Sequence, residues 1–204
     1  MEEKNFKKYW DQIHLKYTSK YDNWLNKYLN LFNKKSIIIE LGCGRAYCSK
    51  YLLDNNYKNI IACDFSHEVI KIVNDSIPEL KTMIFDMGKV FPFNDNSINV
   101  IIADLCLHYF DLNTTKIIFN KMYRSLKKDG LLIARVNSDD DNCIPKNSEE
   151  IEKSFYYDGK ICKRFFSKED IELLADKFKI LNLIQTNMDR YEKEKKVWEF
   201  CLKK

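Results

Sequence analysis

Ile37-Ile38-Ile39-Glu40-Leu41-Gly42-Cys43-Gly44-Arg45-Ala46 is the stretch that decides the fold. Three β-branched apolar residues in a row read as a short strand buried on both faces. An acidic residue closes that strand, and a glycine-rich turn follows. Ser49 to Leu53 then lies in a helix. Gly42 and Gly44 suit a backbone that turns sharply and must lie against a ligand with no Cβ in the way. A nicotinamide dinucleotide site asks for Gly-x-Gly-x-x-Gly, which seats a pyrophosphate on the helix N-terminus. Here the position five after Gly42 is Tyr47, so the third glycine is absent. Glu40 beside the turn would also repel pyrophosphate. It suits a ligand that carries an ammonium and a sulfonium.

Outward from this stretch the chain alternates strand and helix. Residues 5 to 33 read as helix, with Phe6, Trp10, Ile13 and Tyr17 on one face and a break near Thr18-Ser19. Trp24, Leu25, Tyr28, Leu29 and Phe32 continue the helical spacing. Strands are expected at 60–63, 82–85, 99–103 and 131–136, with helices over 66–74 and 114–126 between them. Lys128-Asp129-Gly130 marks a turn. Ser167-Lys168-Glu169-Asp170 resembles a capping box that opens a helix running to about Phe178. Strands near 181–186 and 197–202 are separated by a charged turn, so they pair as a hairpin and place one antiparallel strand in the sheet. Asn137 to Arg164 reads as irregular. This is an α/β pattern: one Rossmann-like, doubly wound, mostly parallel seven-stranded sheet with helices on both faces. The expected organisation is a single domain over 1–204, with 36–204 as the core and 1–33 as an N-terminal helical lid. Trp10, Trp24 and several Tyr give that segment more aromatic surface than packing on one sheet face requires.

The composition agrees. Of 204 residues, 45% are hydrophobic and 31% charged, enough apolar material for one continuous core in a soluble chain. The net charge of +4 comes from short clusters, Lys34-Lys35, Lys127-Lys128 and Lys193 to Lys196, which read as solvated surface rather than a nucleic-acid groove. Seven Cys without a Cys-x-x-Cys pair suggest reduced thiols and a cytoplasmic location. Met1 to Trp10 carries five charges and does not read as a signal peptide. The apolar stretch Ile98 to Leu107 contains Asn99 and Asp104 and is too short to span a membrane.

Further carboxylates fall at the ends of successive strands. Asp64, 24 residues beyond Glu40, can accept from both hydroxyls of a ribose. Asp86 can accept from an adenine amino group, with Phe65 and Met87 offering apolar faces to the ring. Asp104 ends the fourth strand, beside the expected crevice. Aspartate at strand ends is common in turns. The order and spacing of the set, each member at a carboxyl end of a strand, make it a ligand crevice.

At this point the sequence resembles the class I, seven-stranded methyltransferases that use S-adenosylmethionine. Glu40-Leu-Gly-Cys-Gly44 is similar to their first motif, Cys63-Asp64-Phe-Ser66 to the ribose motif and Phe85-Asp86-Met87 to the adenine motif. Phe91 to Ser97 and Leu126 to Leu132 resemble their leads into strands four and five. Asp104-Leu-Cys-Leu-His-Tyr-Phe110 and Lys163-Arg-Phe-Phe-Ser167 resemble small bacterial members related to thiopurine and tellurite methyltransferases. Tyr9-Trp10-Asp11-Gln12 and Tyr21-Asp22-Asn23-Trp24 resemble a segment that folds over the cofactor in relatives that include protein-lysine methyltransferases. The resemblance implies S-adenosylmethionine as cofactor, with Trp10, His14 and Tyr21 nearest to it. Two departures stand out: His14 replaces the family's Tyr, and Ala46 replaces a common Gly.

His108, with Tyr109 beside it, lies where substrate-facing residues of the superfamily often lie. It is the candidate general base, and the plain alternative is a loop histidine packed on the sheet edge. Asp139-Asp140-Asp141 reads as a solvated acidic loop and no metal is expected. Cys43, Cys63 and Cys106 read as small buried apolar residues. Arg135, Arg164 and Arg190 are candidates for an anionic substrate. No Asn-Pro-Pro-Tyr follows strand four, which argues against adenine-amino methylation in nucleic acid. The expected activity is methyl transfer to a small molecule. The alternatives are a protein-lysine methyltransferase and a non-catalytic cofactor-binding partner subunit.

Overall fold

The computed structural model describes residues 3–16, 21–141, 144, 148–191 and 194–204. Seven strands form one sheet: β1 (Ile38–Leu41), β2 (Ile60–Asp64), β3 (Lys81–Ile84), β4 (Ile98–Asp104), β5 (Leu126–Asn137), β9 (Lys179–Met188) and β10 (Lys195–Lys203). Their order is β3-β2-β1-β4-β5-β10-β9. β1 pairs in parallel with β2 and β4, and β10 runs antiparallel to both β5 and β9. The expected final hairpin is therefore present, and β10 is the one antiparallel strand.

Alternation along the strands divides the core into two layers. Ile38, Val100, Ile102, Leu131 and Ile133 face one side, where they meet Leu25 and Tyr28, Leu52 of α2 (Tyr47–Asp54) and Val69 and Val73 of α3 (His67–Ser76). Ile39, Leu41, Ile101, Leu132 and Ala134 face the other, against Ile118, Phe119 and Met122 of α4 (Leu112–Ser125) and Ile171 and Leu174 of α5 (Lys168–Leu174). The near-continuous apolar runs within β1, β2 and β4 follow from burial on both faces.

Helix starts are set by side-chain caps. Ser66 Oγ accepts from Val69 N at 3.1 Å, and Asp111 accepts from Thr114 N at 2.8 Å. Ser167 and Asp170 close the expected capping box, each accepting from the other's backbone N–H.

Three sequence expectations are corrected. The helical span 5–33 is not of one kind: α1 covers Glu3–Lys16, and Trp24–Leu31 is a 3₁₀ segment entered through Asn23 at φ 54. The break at Thr18-Ser19 lies outside the described residues. β5 starts at Leu126, directly after α4, and its register on β4 jumps from Ile98–Leu126 to Val100–Leu131. The intervening 127–130 loop out, which is how the turn expected at Lys128-Asp129-Gly130 is accommodated. The region read as irregular holds a separate antiparallel sheet of β6 (Glu149–Glu152), β7 (Phe155–Tyr157) and β8 (Cys162–Arg164).

Candidate functional site

The carboxyl ends of β1, β2, β3 and β4 open on one side of the sheet. The loop after β1 holds three residues with left-handed backbone, Gly42 at φ 57, Gly44 at φ 51 and Ala46 at φ 56. A Cβ on Gly42 would lie 2.4 Å from Cys106 Cβ, so the loop packs directly against the turn that follows β4. Ala46 takes the left-handed conformation that costs glycine least, and stands at the N-cap of α2.

Glu40 is buried beneath this loop. It accepts from Ser49 N at 2.9 Å and from the Ser49 hydroxyl, which fixes the carboxylate against the first turn of α2. Burial pushes Glu40 up to about 7, against the lowering effect of the Ser49 hydrogen bonds. Asp64, at the end of β2, accepts from Gly44 N and from Ser66 N, both at 3.0 Å. It thus braces the glycine loop as well as lining the crevice. Asp86, just past β3, accepts from Gly88 N at 2.9 Å. A Cβ on Gly88 would come within 2.9 Å of the Phe110 ring, so the loop bearing Asp86 and Met87 packs on the loop after β4. Met87 also approaches Gly42, its Cε lying 3.8 Å from where a Cβ would stand. Phe65 is partly buried just after Asp64. Glu40, Asp64 and Asp86 are therefore brought to one rim by three adjacent strands.

Asp104 is held differently from the other three. Arg135 donates to it at 2.7 and 2.9 Å, and Arg190 pairs with it at 2.8 Å. The same two arginines pair with Asp22, at 2.6 and 3.0 Å. Burial alone would raise both aspartates, yet the guanidinium groups hold them below the usual carboxylate range. Arg164 is engaged elsewhere, with Glu152 and the carbonyls of Phe110 and Lys153. Sequence reasoning could not sort these arginines, and it missed Asp22 and Ser49. Asp22 and Arg190 are too far apart along the chain for charge alone to pair them.

α1 crosses the crevice. Asp11 accepts from the Ser66 hydroxyl just past β2, while the Trp10 ring meets Tyr109 past β4 edge-on at 4.9 Å. Tyr21 lies against Tyr51 at 4.8 Å, and its hydroxyl accepts from Leu25 N. α1 includes His14, whose side chain lies outside the described residues. His108 is fully buried, its ring 4.3 Å from that of Tyr109, and neither ring nitrogen has a hydrogen-bond partner among the described residues. Burial, with Lys195 and Lys163 adding to it, holds the imidazole well below its ordinary value, so it is neutral near pH 7. Cys43, Cys63 and Cys106 are buried free thiols, raised by burial. Of the acidic loop, Asp140 is exposed and pairs with Lys196, whereas Asp141 is buried.

Residues 39–134, which run from β1 into β5, match the family model described as a methyltransferase domain. Over this stretch, just under half of the chain, the sequence is similar to that family. The chain is similar to an uncharacterized methyltransferase of Schizosaccharomyces pombe, with 27% identity over 140 residues, 67% of this chain and 53% of that protein. The chain spans about half the length, or less, of the curated relatives it matches. Among solved structures, a methyltransferase of Methanosarcina mazei described as dependent on S-adenosylmethionine superposes with a TM-score of 0.75 at 14% identity, over 92% of this chain and 99% of that one. The 1,6-didemethyltoxoflavin-N1-methyltransferase of Burkholderia thailandensis, solved with 1,6-didemethyltoxoflavin and S-adenosylhomocysteine bound, superposes with a TM-score of 0.66 at 13% identity, over 88% of this chain and 74% of that one. At such identities these likenesses establish the Rossmann-like methyltransferase fold.

The cofactor of a methyltransferase domain of this class is S-adenosylmethionine, and the residues present fit it. Three carboxylates, Glu40, Asp64 and Asp86, gather at this end of the sheet, and such a set suits a molecule rich in hydrogen-bond donors and positive charge. A diphosphate would meet only repulsion there.

Proposed function

We propose that this chain transfers a methyl group from S-adenosylmethionine to a small-molecule acceptor. One observation carries the reading: Glu40, Asp64 and Asp86 stand at the ends of adjacent strands around a left-handed glycine turn. In this reading Glu40 faces the cofactor's amino-acid end, Asp64 the ribose and Asp86 the adenine, with Phe65 and Met87 against the ring. Bound S-adenosylmethionine supplies a methyl group activated on a sulfonium. The chain's part is to hold it, to align an acceptor and to exclude water.

α1 is the roof in this reading, with Trp10, His14 and Tyr21 on the cofactor side. Tyr109 and His108 face the acceptor. His108, neutral and otherwise unpartnered, offers one nitrogen as acceptor for a proton released by the nucleophile. The acceptor belongs to the small planar or inorganic class suggested by the thiopurine- and tellurite-type likeness of Asp104–Phe110 and Lys163–Ser167. The Burkholderia thailandensis enzyme acts on a small molecule from the same fold, which supports that choice. The six described cysteines, all free thiols, support a reducing cytoplasmic location.

Calorimetry with S-adenosylhomocysteine tests the cofactor, and micromolar or tighter binding is expected. Tight binding of NAD with no response to S-adenosylhomocysteine would overturn the reading. A screen against pooled metabolites and lysate proteins, read as a mass gain of about one methylene, then tests the acceptor. Labelling confined to proteins would replace the small molecule with a protein side chain.

A further inference from the structure

Two arginines and two aspartates form a closed, charge-balanced ring at the open end of the sheet. Arg135 reaches Asp104 at 2.7 Å and Asp22 at 2.6 Å. Arg190 reaches the same two at 2.8 and 3.0 Å. Three of the four side chains are almost wholly buried, and Asp22 is 17% exposed. The Arg135 guanidinium also lies 4.3 Å from the centre of the Trp24 ring. The members come from four places: the stretch between α1 and the 3₁₀ segment, the end of β4, β5, and the connection after β9.

Such a ring is a poor choice if stability were its only purpose. Desolvating four charges offsets most of what their attraction returns, and well-packed apolar residues would serve as well. What charges add is register, because a forked guanidinium accepts carboxylates in few orientations. Both aspartates sit where register matters to the crevice. Asp22 adjoins Tyr21 in the stretch between α1 and the 3₁₀ segment. Asp104 precedes Leu105, at φ 57, and the loop that carries Cys106, His108 and Tyr109. Arg135 O accepts from Leu105 N at 3.0 Å, which ties that loop to the same strand.

We infer that Asp22 is a positioning residue: through Arg135 and Arg190 it fastens the chain that follows α1 to the end of β4, and so helps set Trp10 against Tyr109 across the crevice. The inference rests on the reading of α1 as a roof. Its predicted mark is local. Losing the Asp22 charge leaves the two arginines sharing Asp104 alone, and frees α1 without opening the sheet.

The test is Asp22→Asn, followed by amide hydrogen exchange of the ligand-free chain. Exchange over residues 3–16 is expected to quicken by about tenfold or more, while β1, β4 and β5 keep wild-type protection. The dissociation constant for S-adenosylhomocysteine is expected to rise by a similar factor. Arg190→Gln, which breaks the ring from the opposite side, is expected to free the same residues, and its exchange pattern decides the matter if Asp22→Asn does not fold. The double variant is expected to add little to either single one, since both cut one link. Wild-type exchange over 3–16 in these variants overturns the inference. So does an equal quickening across the whole sheet, which would make the ring a general stabiliser. Failure of the wild-type chain to bind S-adenosylhomocysteine would instead sink the proposed function and leave the exchange result to judge the ring.

Discussion

Gly42→Ala is a sharp probe of the crevice floor. Its cost has two separable parts. Gly42 sits at φ 57, and an L residue there gives up about 1–2 kcal/mol to the clash between its Cβ and its own backbone. The added methyl also meets Cys106 Cβ at 2.4 Å and Cys106 Sγ at 3.2 Å. Cys106 Cβ is attached directly to backbone, so no rotamer change relieves the contact. The Cys106 thiol is further seated by donating to Leu41 O at 3.2 Å. Overpacking of this kind costs about 1–3 kcal/mol. The expected destabilisation is therefore about 2–5 kcal/mol. Chemical denaturation measures it, and calorimetry with S-adenosylhomocysteine reports the displaced loop as weakened binding. The two parts come apart in a Cys106→Gly background, which removes the obstructing Cβ. There the cost of Gly42→Ala should fall to the conformational part, about 1–2 kcal/mol. A Gly42→Ala chain within about 0.5 kcal/mol of wild type, with unchanged affinity, would refute the packing argument.

Asp64→Ala should weaken S-adenosylhomocysteine by tenfold or more and also loosen the glycine loop, because Gly44 N and Ser66 N lose charge-assisted bonds worth roughly 1.5–3 kcal/mol each; an unchanged dissociation constant in a folded variant would remove Asp64 from the ribose role. Glu40 has its carboxyl raised by burial to about 7, above its unfolded value, so the folded state binds the extra proton between the two. Stability should fall as pH rises through that window and level off above about 7, and Glu40→Gln should flatten the slope in denaturation curves taken across it. A cationic ligand head at Glu40 would favour the charged form, so proton release is expected on binding near pH 6.5, seen by calorimetry in buffers of different ionisation enthalpy. His108→Ala should lower turnover more than cofactor affinity, and equal losses in both would assign His108 a structural role.

What the sequence made legible is what short-range chemistry specifies. Ile38-Ile39 has the apolar run that double-sided burial demands, although Ile37, just ahead of β1, is exposed, and Gly42 and Gly44 mark left-handed backbone that other residues adopt at a cost. Ser167 and Asp170 cap within one helical turn, so their box could be read directly. Trp24, Leu25 and Tyr28 have spacing that serves an α-helix and a 3₁₀ segment alike, and the span was read as the commoner form. The 149–164 sheet escaped because Glu149–Glu152 and Cys162–Arg164 are largely polar, with no alternation to report a buried face. Ala46 looked like a departure from a glycine position, and the structure shows that the left-handed conformation is kept and the alanine bears its cost. The partners of Arg135 and Arg190 were beyond reach, since ion pairs between distant segments leave no local pattern.

The place of β10 bears on how the chain is made. β10 lies between β5 and β9, pairing with Leu131–Asn137 on one side and Lys179–Met188 on the other. On the ribosome β9 emerges before β10, and it has no edge to join until β10 has been laid against β5. A nascent chain stopped ahead of Lys195 would expose the Arg135-bearing edge of β5 and leave β9 with no strand to pair with. The first five strands can assemble vectorially, each beside one already present or soon to follow. The final pair must arrive together, and in that interval an unfinished sheet edge is open to other chains or to a chaperone.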